Sequence, residues 1–157
     1  MKEKILEIFK KLGFNLEYIE ELGYSFNYEG GNMLWLYNED DENFLNISVP
    51  AVYECNEENI AQTCALILKI NSTLKYVKSY SVGTNLWLFY EREISENEDL
   101  ESIIPNMIIH LDAALKFTRD AIDEIEKICC NEDAEDNDDD DNDCCIEEIK
   151  DEENNEK

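Results

Sequence analysis

The sequence predicts an α+β domain in the order α-β-β-β-α-β-β-α. A five-stranded antiparallel sheet packed with three helices is followed by a disordered acidic tail. Three observations carry this reading. Apolar residues recur at helical spacing in three stretches. Five shorter stretches alternate with period two and are joined by brief polar or Gly-containing turns. The composition then changes abruptly after Cys130.

Residues 2–12 read as an amphipathic helix with Ile5, Leu6, Phe9 and Leu12 on one face, stopped by Gly13. Tyr24 to Tyr28 alternates as a strand. Gly30-Gly31 makes a turn, and Met33 to Tyr37 runs back. Asn38 to Asn43 is a polar turn, after which Leu45, Ile47 and Val49 alternate until Pro50 ends the strand. Short connections make these three strands antiparallel neighbours.

Asn56 is the expected N-cap of a second helix over residues 57–71, with Ile60, Cys64, Ile67 and Leu68 as its apolar stripe. On that reading Cys64 is a buried, inert thiol. Leu74 to Tyr80 and Leu86 to Glu91 form a hairpin around Ser81 to Thr84. Ser95 and Glu98 have capping-box spacing. A long helix follows to about Ile128, with Leu100, Ile104, Met107, Leu111 and Leu115 in register. Pro105 is tolerated near its start, so regular helix is expected to begin nearer Ser102.

The chain has 157 residues, 39 acids and 13 Lys+Arg, a formal charge of -26. Residues 131–157 hold 15 acids and two Lys, half of that charge in 27 positions. They contain no aromatic residue and only Ile146 and Ile149 as branched apolar ones, too little burial to offset ordering. The expected organisation is a domain over 1–130 and a tail over 131–157. A body this acidic repels nucleic-acid backbones and anionic membranes. No apolar stretch is long enough to span a bilayer. The charged start, Met1 to Lys11, lacks the apolar core of an export signal, so a cytoplasmic location is expected.

Catalytic patterns are lacking. His110 is the one histidine, set beside the apolar stripe of the long helix, where a partly buried structural histidine is expected. The five glycines form no dinucleotide or P-loop pattern, so no cofactor is indicated. Acids are too numerous for any pair to stand out as an acid/base dyad. The chain is therefore expected not to be an enzyme. Cys129-Cys130 and Cys144-Cys145 are vicinal pairs around the acidic run. Vicinal sulfurs turn poorly toward one ion, so they are weak metal candidates. Asp136, Asp138, Asp140 and Glu147 match calcium-loop positions. Asp141 replaces the required Gly and Asp143 the usual aliphatic residue, which rejects a specific site. A divalent-cation function for this Cys-containing acidic tail is the alternative reading.

Twelve of the 16 aromatics lie between Tyr24 and Tyr90, and alternation puts apolar residues on both sheet faces. Leu34 and Leu36 oppose Met33, Trp35 and Tyr37. Leu86, Leu88 and Tyr90 oppose Trp87 and Phe89. Three helices cover one face of such a sheet but hardly two, which leaves apolar surface for self-association or a partner segment. Trp35, Tyr76, Tyr80, Trp87 and Phe89 are the candidate anchors.

Gly31-Asn32-Met33-Leu34-Trp35-Leu36, Leu45-Asn46-Ile47-Ser48-Val49-Pro50 leading to Glu57-Glu58-Asn59, and Leu74-Lys75-Tyr76-Val77-Lys78 followed by Trp87-Leu88-Phe89-Tyr90-Glu91-Arg92 resemble the YbjN-like family. The element order is similar to the type III secretion chaperone-like fold to which that family is assigned. The resemblance spans roughly residues 2–127 and consists of packing motifs. It implies a small acidic non-enzymatic protein, often a homodimer, that acts as a chaperone-like holder of client segments or as a sensory or stress regulator. The Cys-containing tail lies outside the family core.

Overall fold

A computed structural model describes residues 1–132, with side chains to Lys127. The elements are α1 (Lys2–Lys11), β1 (Glu17–Ile19), β2 (Gly23–Tyr28), β3 (Gly31–Leu36), β4 (Phe44–Glu54), α2 (Ile60–Thr73), β5 (Val77–Val82), β6 (Asn85–Glu93) and α3 (Leu100–Glu132). The strands form one antiparallel sheet in the order β1-β2-β3-β4-β6-β5. The class is as expected, with six strands where five are predicted. The addition is β1, whose three residues are too short to display an alternation. The expected disordered tail lies outside the described residues.

α1 ends as its sequence dictates. Gly13 takes φ +84 and its N–H donates to the Lys10 carbonyl, while the Phe14 N–H reaches the Phe9 carbonyl. Those two bonds satisfy carbonyls the helix leaves open, and the Phe9 and Phe14 rings meet at 5.8 Å across the same turn. The buried face is Ile5, Ile8 and Phe9. Leu12 is exposed, because the chain turns away there.

The turn between β2 and β3 is Glu29-Gly30, both with positive φ, one residue earlier than Gly30-Gly31. Two central residues with φ > 0 match the twist of a tight hairpin. Pro50 does not end its strand. β4 continues to Glu54 through a register shift between Val49 and Tyr53, where Ala51 has φ +52. A bulge is where a strand accepts a residue without an N–H.

α2 begins at Ile60, not near Asn56. Asn56 Oδ1 accepts the N–H groups of Glu58 and Asn59, a local turn that delays the helix, and Asn59 occupies the N-cap position. The helix buries Thr63, Leu66 and Ile70 and leaves Ile60, Cys64 and Leu68 exposed. Three of the four expected stripe residues are thus turned outward, Ile67 alone staying half-buried against the core, and Cys64 is not a buried thiol.

α3 starts at Leu100. Asp99 caps it, accepting the Ser102 N–H at 3.3 Å and hydroxyl at 2.7 Å. The Ser102 hydrogen bonds hold the Asp99 carboxyl below its ordinary range. The Ser95–Glu98 pair lies one turn earlier. Ser95 N–H donates to Glu98, whose carboxylate also meets Arg92 and so fixes the lead-in.

All three helices pack on one sheet face. They share a core with Phe26, Met33, Trp35, Leu45, Ile47, Val49, Val77, Leu86 and Leu88, and the pairing register places these strand residues on the same side. Trp35 lies flat between Phe9 of α1 (5.9 Å) and Tyr24 (5.0 Å).

Candidate partner-binding surface

The opposite face of the sheet carries no helix among the described residues. Its rows follow from register. Leu34 stands beside Ser48, Ser48 beside Phe89, and Phe89 beside Lys78. Trp87 stands beside Tyr80. Leu34 and Phe89 are buried yet lie outside the helix-side core, so the face's own side chains shield them. The Tyr80 ring stacks on Phe89 at 4.1 Å and 3°, and Trp87 lies at 6.0 Å from Phe89 and 16° from parallel. Tyr80 remains 42% exposed and Trp87 half-buried. Burial by this stack raises the Tyr80 phenol, with the nearby Glu91 carboxylate adding to the effect.

Beside the aromatic stack the face is polar. Asn46 Nδ2 donates to Glu91 at 2.8 Å, and Lys78 pairs with the same carboxylate. Asn46 Oδ1 and Ser48 Oγ are buried without a hydrogen-bond partner among the described residues. Further along, Leu22, Leu36, Phe44 and Asn46 line an open cleft of about 320 Å³. The exposed apolar side chains of this face therefore fall in two groups, Tyr80 and Trp87 at one end and Leu36 and Phe44 at the other, with Phe89 and Leu34 buried between them.

The structure divides the five anchors predicted from sequence. Tyr80, Trp87 and Phe89 come together on the helix-free face. Phe89, almost fully buried, supports the other two. Trp35 is 1% exposed under α1, a core residue that no partner can reach. Its place on the helix side follows from β3 register, since Trp35 pairs with Ile47. Tyr76 is 66% exposed but stands elsewhere, stacked on Tyr90 at 5.7 Å with His110 of α3 edge-on at 5.6 Å.

His110 is exposed rather than partly buried, with Nδ1 at 2.7 Å from the Asn106 carbonyl. Asp112 pairs with Lys116, not with His110. Cys129 and Cys130 fall in the last turns of α3, where side chains are not described. Cys144, Cys145 and the rejected calcium loop lie outside the described residues. Among the described residues no three His, Cys, Asp or Glu side chains gather as a metal site. No described helix is long and apolar enough to cross a membrane.

The sequence reading misses two features. One is the outward stripe of α2. The other is a clip in which Asn71 of α2 holds the backbone of Ser79 in β5. The only sequence signal for the first is the rival stripe Thr63-Leu66-Ile70, which is the one buried, and the second has no local signal.

No family model and no curated protein matches the chain. Among the solved structures that match, two illustrate the shared fold. YbjN, a candidate transcription regulator from E. coli, superimposes with a TM-score of 0.57 at 10% identity, over 73% of this chain and 88% of that one. An uncharacterised protein from Methanothermobacter thermautotrophicus superimposes with a TM-score of 0.55 at 17% identity, over 78% and 96%. At such identities the likeness concerns architecture, and the chain has a YbjN-like fold.

Proposed function

We propose that the chain is a non-enzymatic protein-binding module, chaperone-like or regulatory. It acts as a cytoplasmic homodimer that holds partner segments on the helix-free face of its sheet. The observation that carries this reading is the Tyr80–Phe89–Trp87 stack, an aromatic cluster on a face no described element covers. Aromatic side chains dominate protein contacts because they remove large area from water at small entropic cost. YbjN, which shares the fold, is described as a candidate transcription regulator, which agrees with a regulatory role. The acidity argues that its partners are proteins rather than nucleic acids.

Sedimentation equilibrium tests the homodimer. The full chain is expected at twice its monomer mass, and Tyr80→Glu with Trp87→Glu at the monomer mass with unchanged circular dichroism. A wild-type monomer, or a dimer indifferent to both substitutions, contradicts it.

A further inference from the structure

The helix-free row of β6 changes character along its length. Register puts Trp87, Phe89, Glu91 and Glu93 on this face in succession, two aromatics followed by two acids. The neighbouring strands agree: Tyr80 of β5 stands beside Trp87, and Phe44 of β4 beside Glu93. The cleft at the acidic end adds the carboxylates of Glu21 and Asp41 to apolar walls of Leu22, Leu36 and Phe44.

The charge of the face is one-sided. Among its strand positions Lys78 is the one cation, and it is taken by Glu91. Glu21, Asp41 and Glu93 are exposed and pair with no cation among the described residues. An occupant of the face therefore meets half-exposed rings at one end and unpaired carboxylates at the other. A Lys or Arg side chain suits the second end on two counts. Its alkyl stem lies on Leu22, Leu36 and Phe44, and its charge reaches the carboxylates at the rim. Trp87 and Glu93 are separated by about 20 Å at strand rise, which an extended chain covers in about six residues.

We infer that the segment held on the helix-free face is extended and in two parts. Apolar side chains lie over Tyr80 and Trp87. About six residues along, Lys or Arg side chains meet Glu93 and enter the cleft of Glu21 and Asp41. This rests on the reading of the face as a partner surface, and it adds the chemistry of the partner.

Fluorescence anisotropy with the full chain tests it. The probe is a rhodamine-labelled peptide, Thr-Leu-Thr-Val-Thr-Lys-Thr-Arg-Thr, and the control has Gln for its Lys and Arg. At low salt the basic peptide should bind about tenfold more tightly than the neutral one, the size of two or three exposed ion pairs. The difference should close as salt screens those pairs. It should also close in the variant Glu21→Gln, Asp41→Asn, Glu93→Gln, with the neutral peptide's affinity unchanged. Equal affinity of the two peptides for the wild type would overturn the inference and leave the face as a binding surface. A tenfold difference that survives the triple substitution would assign the attraction to the acidic body at large, and would overturn it as well. So would binding that stops short of saturation as the protein is concentrated, which would seat a second copy on the face. Absence of binding by either peptide, or binding indifferent to Tyr80→Ala with Trp87→Ala, would overturn both this inference and the reading on which it rests.

Discussion

Asn71 closes on Ser79 like a missing strand. Its Nδ2 donates to the Ser79 carbonyl at 3.0 Å, and the Ser79 N–H donates to its Oδ1 at 2.7 Å. β5 is an edge strand, and an open edge is a template for another chain. The clip occupies the outward backbone groups in the middle of that edge. Strand addition at β5 is thereby disfavoured. Asn71→Ala should cost about 2 kcal/mol, since two part-buried backbone groups lose their partners. Urea unfolding measures the loss, and light scattering should show increased edge-to-edge association. An unchanged midpoint would remove the clip from the account.

The two tryptophans should separate stability from binding. Trp35→Ala empties the space between Phe9 and Tyr24 and should cost about 3–5 kcal/mol. Trp87→Ala, on the half-buried face, should cost about 1 kcal/mol. Denaturant titration decides. Similar losses at both positions would mean that the second face is as enclosed as the first.

α2 gives a comparison two residues apart. Leu66→Asp places a charge in the core and should unfold the protein or cost more than about 4 kcal/mol. Leu68→Asp should change stability by no more than about 0.5 kcal/mol. Thermal melts of both variants check the helix rotation directly, and the reverse order would refute it.

The Asp99 cap predicts a pH signature. Its carboxyl is held below the ordinary value of 3.8, mainly by Ser102, so the unfolded chain takes up that proton first on acidification. The contribution is complete above pH 3.8 and is lost as pH falls below it, through the lower folded value. The stability difference between wild type and Asp99→Ala should therefore shrink below about pH 4. A difference that stays constant down to pH 2 would contradict the assignment.

Period-two and helical spacing identify eight of the nine elements, because each of those eight is long enough to show its apolar recurrence. The failures have physical causes. β1 is stabilised by pairing with β2 rather than by its own pattern. Pro50 reads as a stop, yet a bulge accommodates it. α2 presents apolar residues around most of its circumference, so periodicity alone does not choose between Ile60-Cys64-Leu68 and Thr63-Leu66-Ile70. Tertiary packing against α3 chooses. For the site, alternation correctly separates Trp87 and Phe89 from Leu86 and Leu88. It does not reveal which face the helices take, and that decision puts Trp35 inside and Tyr80 and Trp87 outside.

The central claim is that partners meet the helix-free face. Capture from native lysate, run side by side, tests it most directly with three full-length baits: wild type, Tyr80→Glu with Trp87→Glu, and Leu68→Asp as a surface control. The account predicts a stoichiometric protein partner, or a second copy, retained by wild type and by Leu68→Asp and lost from the sheet-face variant while that variant remains folded. Retention by the sheet-face variant, or no partner with any bait, would contradict it.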